Sequence, residues 1–447
     1  MNITIVGTGY VGLVSGVCLA AKGHHVRCVD INSSTVQRLN AGHPTIYERG
    51  LPELLAEVIS SGKFRATSEL EAALDSSEIA LIAVGTPSSN GEIDLDQVRT
   101  AARQIGNYIK ANQRHISVVV KSTVVPGTTD TVIKQEIEKA SGKQHGDFGL
   151  GMNPEFLREG NAIEDFMYPD RIVFGHEDKQ TLHRLETMYA PWQTEKLHVN
   201  SRTAELIKYS NNALLAVQIS AINEIANLAA ALGGIDIMDV ARGVHLDKRW
   251  SPIVSNRRIT PPILTYLVPG CGFGGSCFPK DVQAIRTQGM RLGLRMEMLN
   301  AVLAVNESQH QQVIDIIEKD IGSLAGRTAL VLGLAFKPDT DDVRESASLK
   351  IIASLVEKHS HVLAHDPIAT ENFKRAIGPS ASGVEFLVSW RERVKDVDII
   401  ILATQWPEYA EINSASIEGK IIFDARRMLT PDLVARARYL SIGRRMV

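Results

Sequence analysis

The sequence predicts an α/β chain: two parallel-sheet regions with a long helix and a helical stretch between them. Three observations carry this. Short apolar runs, 3–6 and 79–84 among them, alternate with helical patterns through the first part of the chain. Residues 203–232 hold neither proline nor glycine. Strand–turn–helix units resume at 328–332. Strands alternating with helices need crossover connections, and hence parallel pairing.

In chain order, 3–6 is a buried-strand pattern leading into GTGYVG at 7–12 and a helix over 11–22. A second strand, 26–29, ends in Asp30. GxGxxG between a strand and a helix lets a pyrophosphate approach backbone N–H groups at the helix start, and an acid farther on accepts from ribose hydroxyls. Gly7, Gly9, Tyr10, Val11, Gly12 and Asp30 therefore predict NAD, and Asp30 would repel the 2′-phosphate of NADP. The run 79–84 ends in Gly85, Thr86 and Pro87, a helix follows over 95–109, and strand 117–120 ends in Lys121, Ser122 and Thr123. Ligands of open parallel sheets lie at the carboxyl ends of strands, where Thr86 and Thr123 fall. Ordinary capping and turn chemistry accounts for either threonine equally well. NPEFLREG at 153–160 sets two carboxylates, Glu155 and Glu159, in a short turn or loop, for which solvated surface is the ordinary outcome.

Asn200 or Ser201 can cap the helix 203–232, whose ~30 residues span roughly 45 Å. Length and apolarity predict a spine and a dimer interface. Lys208 and Asn212 share one face at i, i+4. Among Leu206, Ile207, Leu214, Leu215 and Val217 they read as a partly buried pair pointing into a site. A helix starts over 236–242, the stretch 248–265 is rich in Arg and Pro, and 297–319 is helical. Within it all, 266–281 reads YLVPGCGFGGSCFPKD. Gly270, Gly272, Gly274 and Gly275 leave little room for regular structure. Cys277, Lys280 and Asp281 follow within five residues. A thiol beside a cation is a candidate nucleophile; a structural cysteine in a glycine-rich loop is the alternative. After strand 328–332 come GLAFKP, an acidic turn at 339–342, Arg344 and a helix, then strands 362–364 and 398–402. This turn lacks GxGxxG. Lys337 at the strand end suits a phosphate or carboxylate, and a solvated lysine fits as well.

The 447 residues imply two to three domains, with 44% hydrophobic and 22% charged residues. A net charge of −3 offers no general basic field for nucleic acid or a membrane surface. Cys18, Cys28, Cys271 and Cys277 do not make a disulfide framework, nor do the last two match a zinc pattern. The expectation is a reducing cytoplasm and no metal. Strand 3–6 begins without a basic leader, and the apolar runs read as too short for a bilayer.

The motifs together closely resemble the UDP-glucose/GDP-mannose dehydrogenase family. GTGYVG, VGTP, KSTVVPGT, NPEFLREG, IKYSNN, PGCGFGGSCFPKD and GLAFKPDTDDVRES occur in order over nearly the whole chain. The resemblance implies an N-terminal NAD-binding Rossmann domain over 1–199, a central helical dimerisation region with the cysteine loop over 200–322, and a C-terminal sugar-nucleotide-binding Rossmann-like domain over 323–447. It implies oxidation of a sugar nucleotide's C6 alcohol to a carboxylate by two NAD in succession, UDP-glucose being favoured and GDP-mannose the alternative. Cys277 would form a thiohemiacetal and then a thioester. Lys208 and Asn212 would stabilise the oxyanion, Asp281 and Thr123 would hold a water, and Glu155 and Glu159 would lie by the acid/base and hydrolysis chemistry.

In the same resemblance, Lys337, Gly274, Tyr266, Leu267, Val268, Pro269 and Gly270 would contact substrate, with the backbone of Phe156, Leu157 and Arg158. Thr86, Thr123, Glu159, Lys280 and Arg344 would join the glycine loop in facing NAD. Three departures stand out: Thr35 where relatives often carry Lys or Arg, Arg426–Arg427 where Arg–Asn is common, and a longer 248–265 segment. That segment offers Arg249, Arg257 and Arg258 as candidates to reach across a dimer. NPEFLREG argues against N-acetylated sugars. More distant alternatives are a single-step β-hydroxyacid dehydrogenase, which needs no thiol, and a non-catalytic NAD-sensing protein.

Overall fold

The computed structural model describes residues 1–112, 114–414 and 417–444. The chain divides into two compact units, Met1–Asn211 and Asn212–Val447.

In the first unit the sheet order is Glu195–Val199, Arg171–His176, Gly149–Met152, Ser117–Val120, Ile79–Ile82, Asn2–Val6, His25–Val29, Phe64–Thr67. Asn2–Val6 pairs in parallel with both His25–Val29 and Ile79–Ile82, so the strand order reverses there. Within this eight-stranded sheet, among the described residues, only the pairing of Gly149–Met152 with Arg171–His176 is antiparallel. Ile79–Ile82 and Ser117–Val120 are buried along their whole length, as expected of strands covered on both faces. One face carries a core with Ile3, Ile5, Leu13, Val17 and Phe174; the other holds Val6, Ile82, Ile105, Val118 and Phe148.

The strands expected at 3–6, 26–29 and 117–120 form. The run 79–84 is strand only to Ile82; beyond it the Ile82 carbonyl accepts from Ser122 N at 3.0 Å and the Val84 carbonyl from the Ser122 hydroxyl at 2.7 Å. Gly149–Met152 escaped the sequence reading because GLGM has two glycines. Packing requires both: a Cβ on Gly149 would lie 2.1 Å from Thr181 Oγ1, and one on Gly151 would lie 2.7 Å from the Gly175 carbonyl oxygen.

The second unit contains a wholly parallel six-stranded sheet, ordered Val384–Phe386, His361–His365, Thr328–Leu332, Ile399–Leu402, Ile421–Asp424, Arg438–Leu440. By chain position this order is third, second, first, fourth, fifth, sixth, and the first six strands of the other sheet repeat it. Such an order puts a crevice at the carboxyl ends of the first and fourth strands. A glycine with left-handed φ leaves the first strand in each sheet: Gly7 at +102° and Gly333 at +96°.

Helix Ser201–Leu232 is capped by Asn200, whose Oδ1 accepts from Thr203 N at 2.8 Å. Leu206, Leu214, Ile225, Leu228 and Leu232 are exposed along it. At 100° per residue they fall within an arc of about 100°. By length and composition this helix would also qualify as a membrane span, contrary to the expectation that every apolar run is too short. It carries buried Lys208, Asn212, Ser220 and Asn223, however, which suits a core helix and not a lipid-facing one.

Near the start of that helix, buried Glu205 accepts from the backbone N–H of Gly127 at 2.6 Å and of Thr129 at 2.8 Å. It thereby caps the π-helical turn Thr128–Ile133. Burial pushes its carboxyl up to about 7, against the pull of those donors. Between the ordinary glutamate range and that value the unfolded chain has lost a proton that the fold retains, so stability falls as pH rises through this window. The unfolding temperature of the wild type is expected to decline relative to Glu205→Gln from about pH 5 to about pH 7, then run parallel to it. A constant difference across that range would mean that Glu205 is ionised throughout.

Candidate active site

In the first unit GTGYVG turns from Asn2–Val6 into helix Tyr10–Ala21. Gly7 and Gly12 are demanded by backbone: a Cβ on Gly12 would lie 2.0 Å from the Gly7 carbonyl oxygen, and one on Gly7 would lie 2.7 Å from that of Ala83. Gly9 differs, since a Cβ there would meet nothing within 4 Å. Open space at the helix start is what a pyrophosphate needs. Asp30 follows His25–Val29 and accepts from Thr8 N at 3.3 Å, from the Thr8 hydroxyl, and from Asn32 N at 2.9 Å. The loop and its acid therefore fit NAD.

Val11 and Thr35 are half-buried, and Thr35 sits in helix Ser33–Asn40. Thr86 and Thr123 are half-buried just past strands Ile79–Ile82 and Ser117–Val120. The Tyr10 hydroxyl donates to Glu48, a buried acid that also accepts from Gly160 N at 2.8 Å and Ala162 N at 2.9 Å. Burial, and then Glu48, raise the Tyr10 phenol well above its usual range. Glu48 went unnoticed in the sequence, where it is one acid in a polar stretch.

Glu155 is not solvated surface. Its side chain is 6% exposed, and Lys208, 4% exposed, reaches it at 2.8 Å. Its second oxygen accepts from Leu157 N at 2.6 Å. Burial pushes this carboxyl up, but Lys208, the Leu157 N–H and Lys121 together hold it below the usual range. Phe156 lies under the Arg171 guanidinium at 3.8 Å and within 5.6 Å of Lys208 Nζ. Arg158 forks onto Asp165, at 2.6 Å for the shortest bond. Glu159 is only half-buried.

Lys121 is also buried, and the sequence reading passed over it. Its Nζ lies 3.0 Å from Asn153 Oδ1 and 3.4 Å from the Tyr189 hydroxyl. Burial drives this ammonium down to about 8; Glu155 opposes the shift and Lys208 adds to it. The available signal was a lysine directly after four buried strand residues.

In the second unit Cys277 stands at the N-terminus of helix Phe278–Arg291. Asp281 lies one turn on, buried, with its backbone N–H donating to the Cys277 carbonyl at 2.8 Å. Asn212 Nδ2 donates to Asp281 Oδ2 at 2.7 Å, and Lys280 Nζ forms an ion pair with Asp281 Oδ1 at 2.9 Å. Asn223 Oδ1 accepts from Gly270 N at 2.8 Å, and Asn306 Oδ1 accepts from Phe273 N at 2.7 Å. A Cβ on Gly274 would lie 2.2 Å from the Glu345 carbonyl oxygen, and one on Gly275 would lie 2.8 Å from the Phe336 ring. The glycines thus let this loop press on segment 333–346.

Tyr266 and Leu267 end the short turn Pro262–Leu267, and Val268 and Pro269 run on to Gly270. Lys337 Nζ sits 5.7 Å from the Phe336 ring centre, and Arg344 forks onto Asp342 with two 2.8 Å bonds. Arg249 is bound to Asp247, and Arg258 donates to the carbonyls of Leu246 and Ser251.

Asp366, following His361–His365, occupies the place in this sheet that Asp30 holds in the other. It is buried and turned onto its own loop, accepting from Leu334 N at 2.7 Å, Ala335 N at 3.1 Å and Trp406 Nε1 at 3.2 Å. Arg427 has φ +54°, a left-handed backbone that asparagine adopts far more readily. Its guanidinium is anchored to Asp236 at 3.1 Å and to the Ile442 carbonyl at 2.9 Å.

A glycine loop fit for a dinucleotide, a second sheet of the same order, and a thiol at a helix start define a nicotinamide-dependent dehydrogenase of the two-sheet class. The chain belongs to the UDP-glucose/GDP-mannose dehydrogenase family. Its NAD-binding domain model matches residues 1–193, the central domain 202–308, and the UDP-binding domain 330–431. The cofactor is NAD and the substrate is a sugar nucleotide. The UDP-glucose 6-dehydrogenase YwqF of Bacillus subtilis (strain 168) is 38% identical over 454 residues, covering 100% of this chain and 98% of that protein. A UDP-glucose dehydrogenase structure from Pyrobaculum islandicum is 40% identical, with a TM-score of 0.89 over 99% of this chain and 98% of that one. The GDP-mannose dehydrogenase of Pseudomonas aeruginosa is 33% identical, with a TM-score of 0.55 over 99% and 100%.

A 2′-phosphate beside Asp30 is a like-charge contact, which costs several kcal/mol, so NADP is expected to show kcat/KM roughly 100-fold or more below NAD. Asp30→Ala should weaken NAD use without creating productive NADP use, since no arginine immediately follows. Comparable kcat/KM for the two cofactors in the wild type would refute the role of Asp30.

Proposed function

We propose that the chain oxidises the C6 hydroxyl of UDP-glucose to the carboxylate of UDP-glucuronate, with Cys277 as covalent nucleophile. One observation carries this reading: Cys277 opens a helix whose next turn presents a buried Asp281, clamped by Asn212 and Lys280. Helix N-termini and nearby cations favour thiolate. NAD supplies the hydride acceptor for both oxidations. Between them the Cys277 thiolate adds to the aldehyde carbon, giving a thiohemiacetal that still bears the hydrogen to be removed. The resulting thioester is attacked by water, releasing the acid and restoring the thiol. Lys208 and Asn212 stabilise the oxyanion of each tetrahedral centre. Asp281 and Thr123 hold the water. Glu155, kept ionised by Lys208, handles protons, with Glu159 in the same chemistry.

UDP-glucose is favoured by the greater likeness to UDP-glucose dehydrogenases than to the GDP-mannose enzyme. The apolar stripe on helix Ser201–Leu232 supports a homodimer, because monomers seldom expose so continuous a patch. Across such a dimer we favour Arg257, since Arg249 and Arg258 are engaged within their own segment. The unpaired, buried thiols of Cys18, Cys28 and Cys271 accord with a reducing cytoplasm.

A panel of UDP- and GDP-sugars should show NAD reduction chiefly with UDP-glucose, with two NADH formed per sugar and no free aldehyde. Cys277→Ser should be nearly dead, with a sugar-nucleotide ester adduct to be sought by intact mass. Cys277→Ala should make no acid; near wild-type acid formation by that variant would leave Cys277 merely structural. Light scattering should give a dimer or larger assembly at micromolar concentration, and a monomer there would count against the apolar stripe as an interface.

A further inference from the structure

Lys121 sits where a lysine is costly. It is 2% exposed, at the carboxyl end of strand Ser117–Val120. A buried ammonium persists only when its donors are satisfied and an opposite charge is at hand. Its acceptors are Asn153 Oδ1 at 3.0 Å, the Asn153 carbonyl at 3.5 Å and the Tyr189 hydroxyl at 3.4 Å. Tyr189 in turn donates to Asn153 Oδ1 at 2.6 Å. The Phe166 ring closes the pocket, its centre 5.6 Å from Nζ. Asn153 itself is fixed by its backbone N–H to Val120 at 2.8 Å and by its side chain to Val173 at 3.0 Å. Only Pro154 separates it from Glu155.

We propose that Lys121 is a positioning residue for Glu155: it locks the Asn153–Pro154 bend that presents the carboxylate, and supplies a second cation that keeps it charged. The role stands only if Glu155 serves the oxidation as proposed. The charged and titratable groups facing Lys121 are Glu155 from the loop, Lys208 from helix Ser201–Leu232, and Tyr189 with Cys18 beyond it. Lys208 alone carries one positive charge to Glu155; with Lys121 protonated the carboxylate lies in the field of two. That support is felt where Glu155 itself titrates, below the usual carboxylate range and well below the pH of about 8 at which Lys121 loses its proton.

The test is the pH profile of kcat at saturating UDP-glucose and NAD for Lys121→Met, Glu155→Gln and Tyr189→Phe. Loss of a nearby cation should raise the Glu155 pKa, moving the acid limb of Lys121→Met upward by about one pH unit. A Lys121 that merely fills space would lower kcat evenly and leave the limb in place. A folded Lys121→Met whose acid limb coincides with wild type overturns the proposal. Tyr189→Phe removes one acceptor from the ammonium and the donor to Asn153 Oδ1, so the bend that holds the carboxylate among its partners loosens and the acid limb should move upward here as well. If Lys121→Met fails to fold, an unmoved limb in Tyr189→Phe overturns the proposal alone. Glu155→Gln separates the two levels. Wild-type kcat in that variant removes Glu155 from the chemistry and Lys121 with it; an impaired Glu155→Gln with unmoved Lys121 and Tyr189 limbs rejects only Lys121.

Discussion

The first unit is organised around a charge that has to be inside. Glu155 and Lys208 meet at 2.8 Å out of reach of bulk water. Withdrawing each ion from solvent costs several kcal/mol, which their attraction offsets only when the remaining polar sites are also satisfied. The Leu157 N–H takes the second carboxylate oxygen, the Phe156 ring lies near the ammonium, and Lys121 adds its field. Lys121 follows strand Ser117–Val120, Glu155 lies just past Gly149–Met152 and Lys208 comes from helix Ser201–Leu232, so separate elements hold these groups in register. A shift in any of them would leave a buried charge facing a poor partner, so the loop 153–160 is held to one conformation although it has little regular structure.

The second unit uses the same logic with backbone in place of charge. Neighbouring elements hold its glycine loop. Asn223 and Asn306 bind its N–H groups, and the Arg344 carbonyl accepts from Gly275 N at 2.8 Å. Close approach to Glu345 and Phe336 excludes any Cβ at Gly274 or Gly275. Cys277 follows directly, so its placement inherits the stiffness of the loop before it.

The alternation of apolar runs and helical patterns made the strand–helix order legible, and the motif at 7–12 with Asp30 marked the cofactor side. What escaped was set by contacts distant in sequence. GLGM does not look like a strand until Thr181 and Gly175 are seen against it. Glu155 resembled a surface acid because Lys208 is far off in the chain. Glu48 had no local pattern, and Lys121 and Asp366 offered only their place directly after a strand, since each acts through backbone groups or side chains that only tertiary structure brings near. Arg427 looked like a simple departure; its left-handed backbone explains why asparagine suits the position, and its anchorage to Asp236 explains how arginine is accommodated.

Asp366 has a consequence for ligand sorting. Two sheets that share the order of their first six strands in one polypeptide could compete for the same dinucleotide. In the second sheet the acid that would greet a ribose is already occupied by Leu334, Ala335 and Trp406. There the N–H groups of the loop itself take up the acceptor capacity of the acid. Asp30 also accepts from its loop, at Thr8 N, but it is half-buried where Asp366 is 5% exposed, so the two copies of the acid differ in how far each stays open to a ligand.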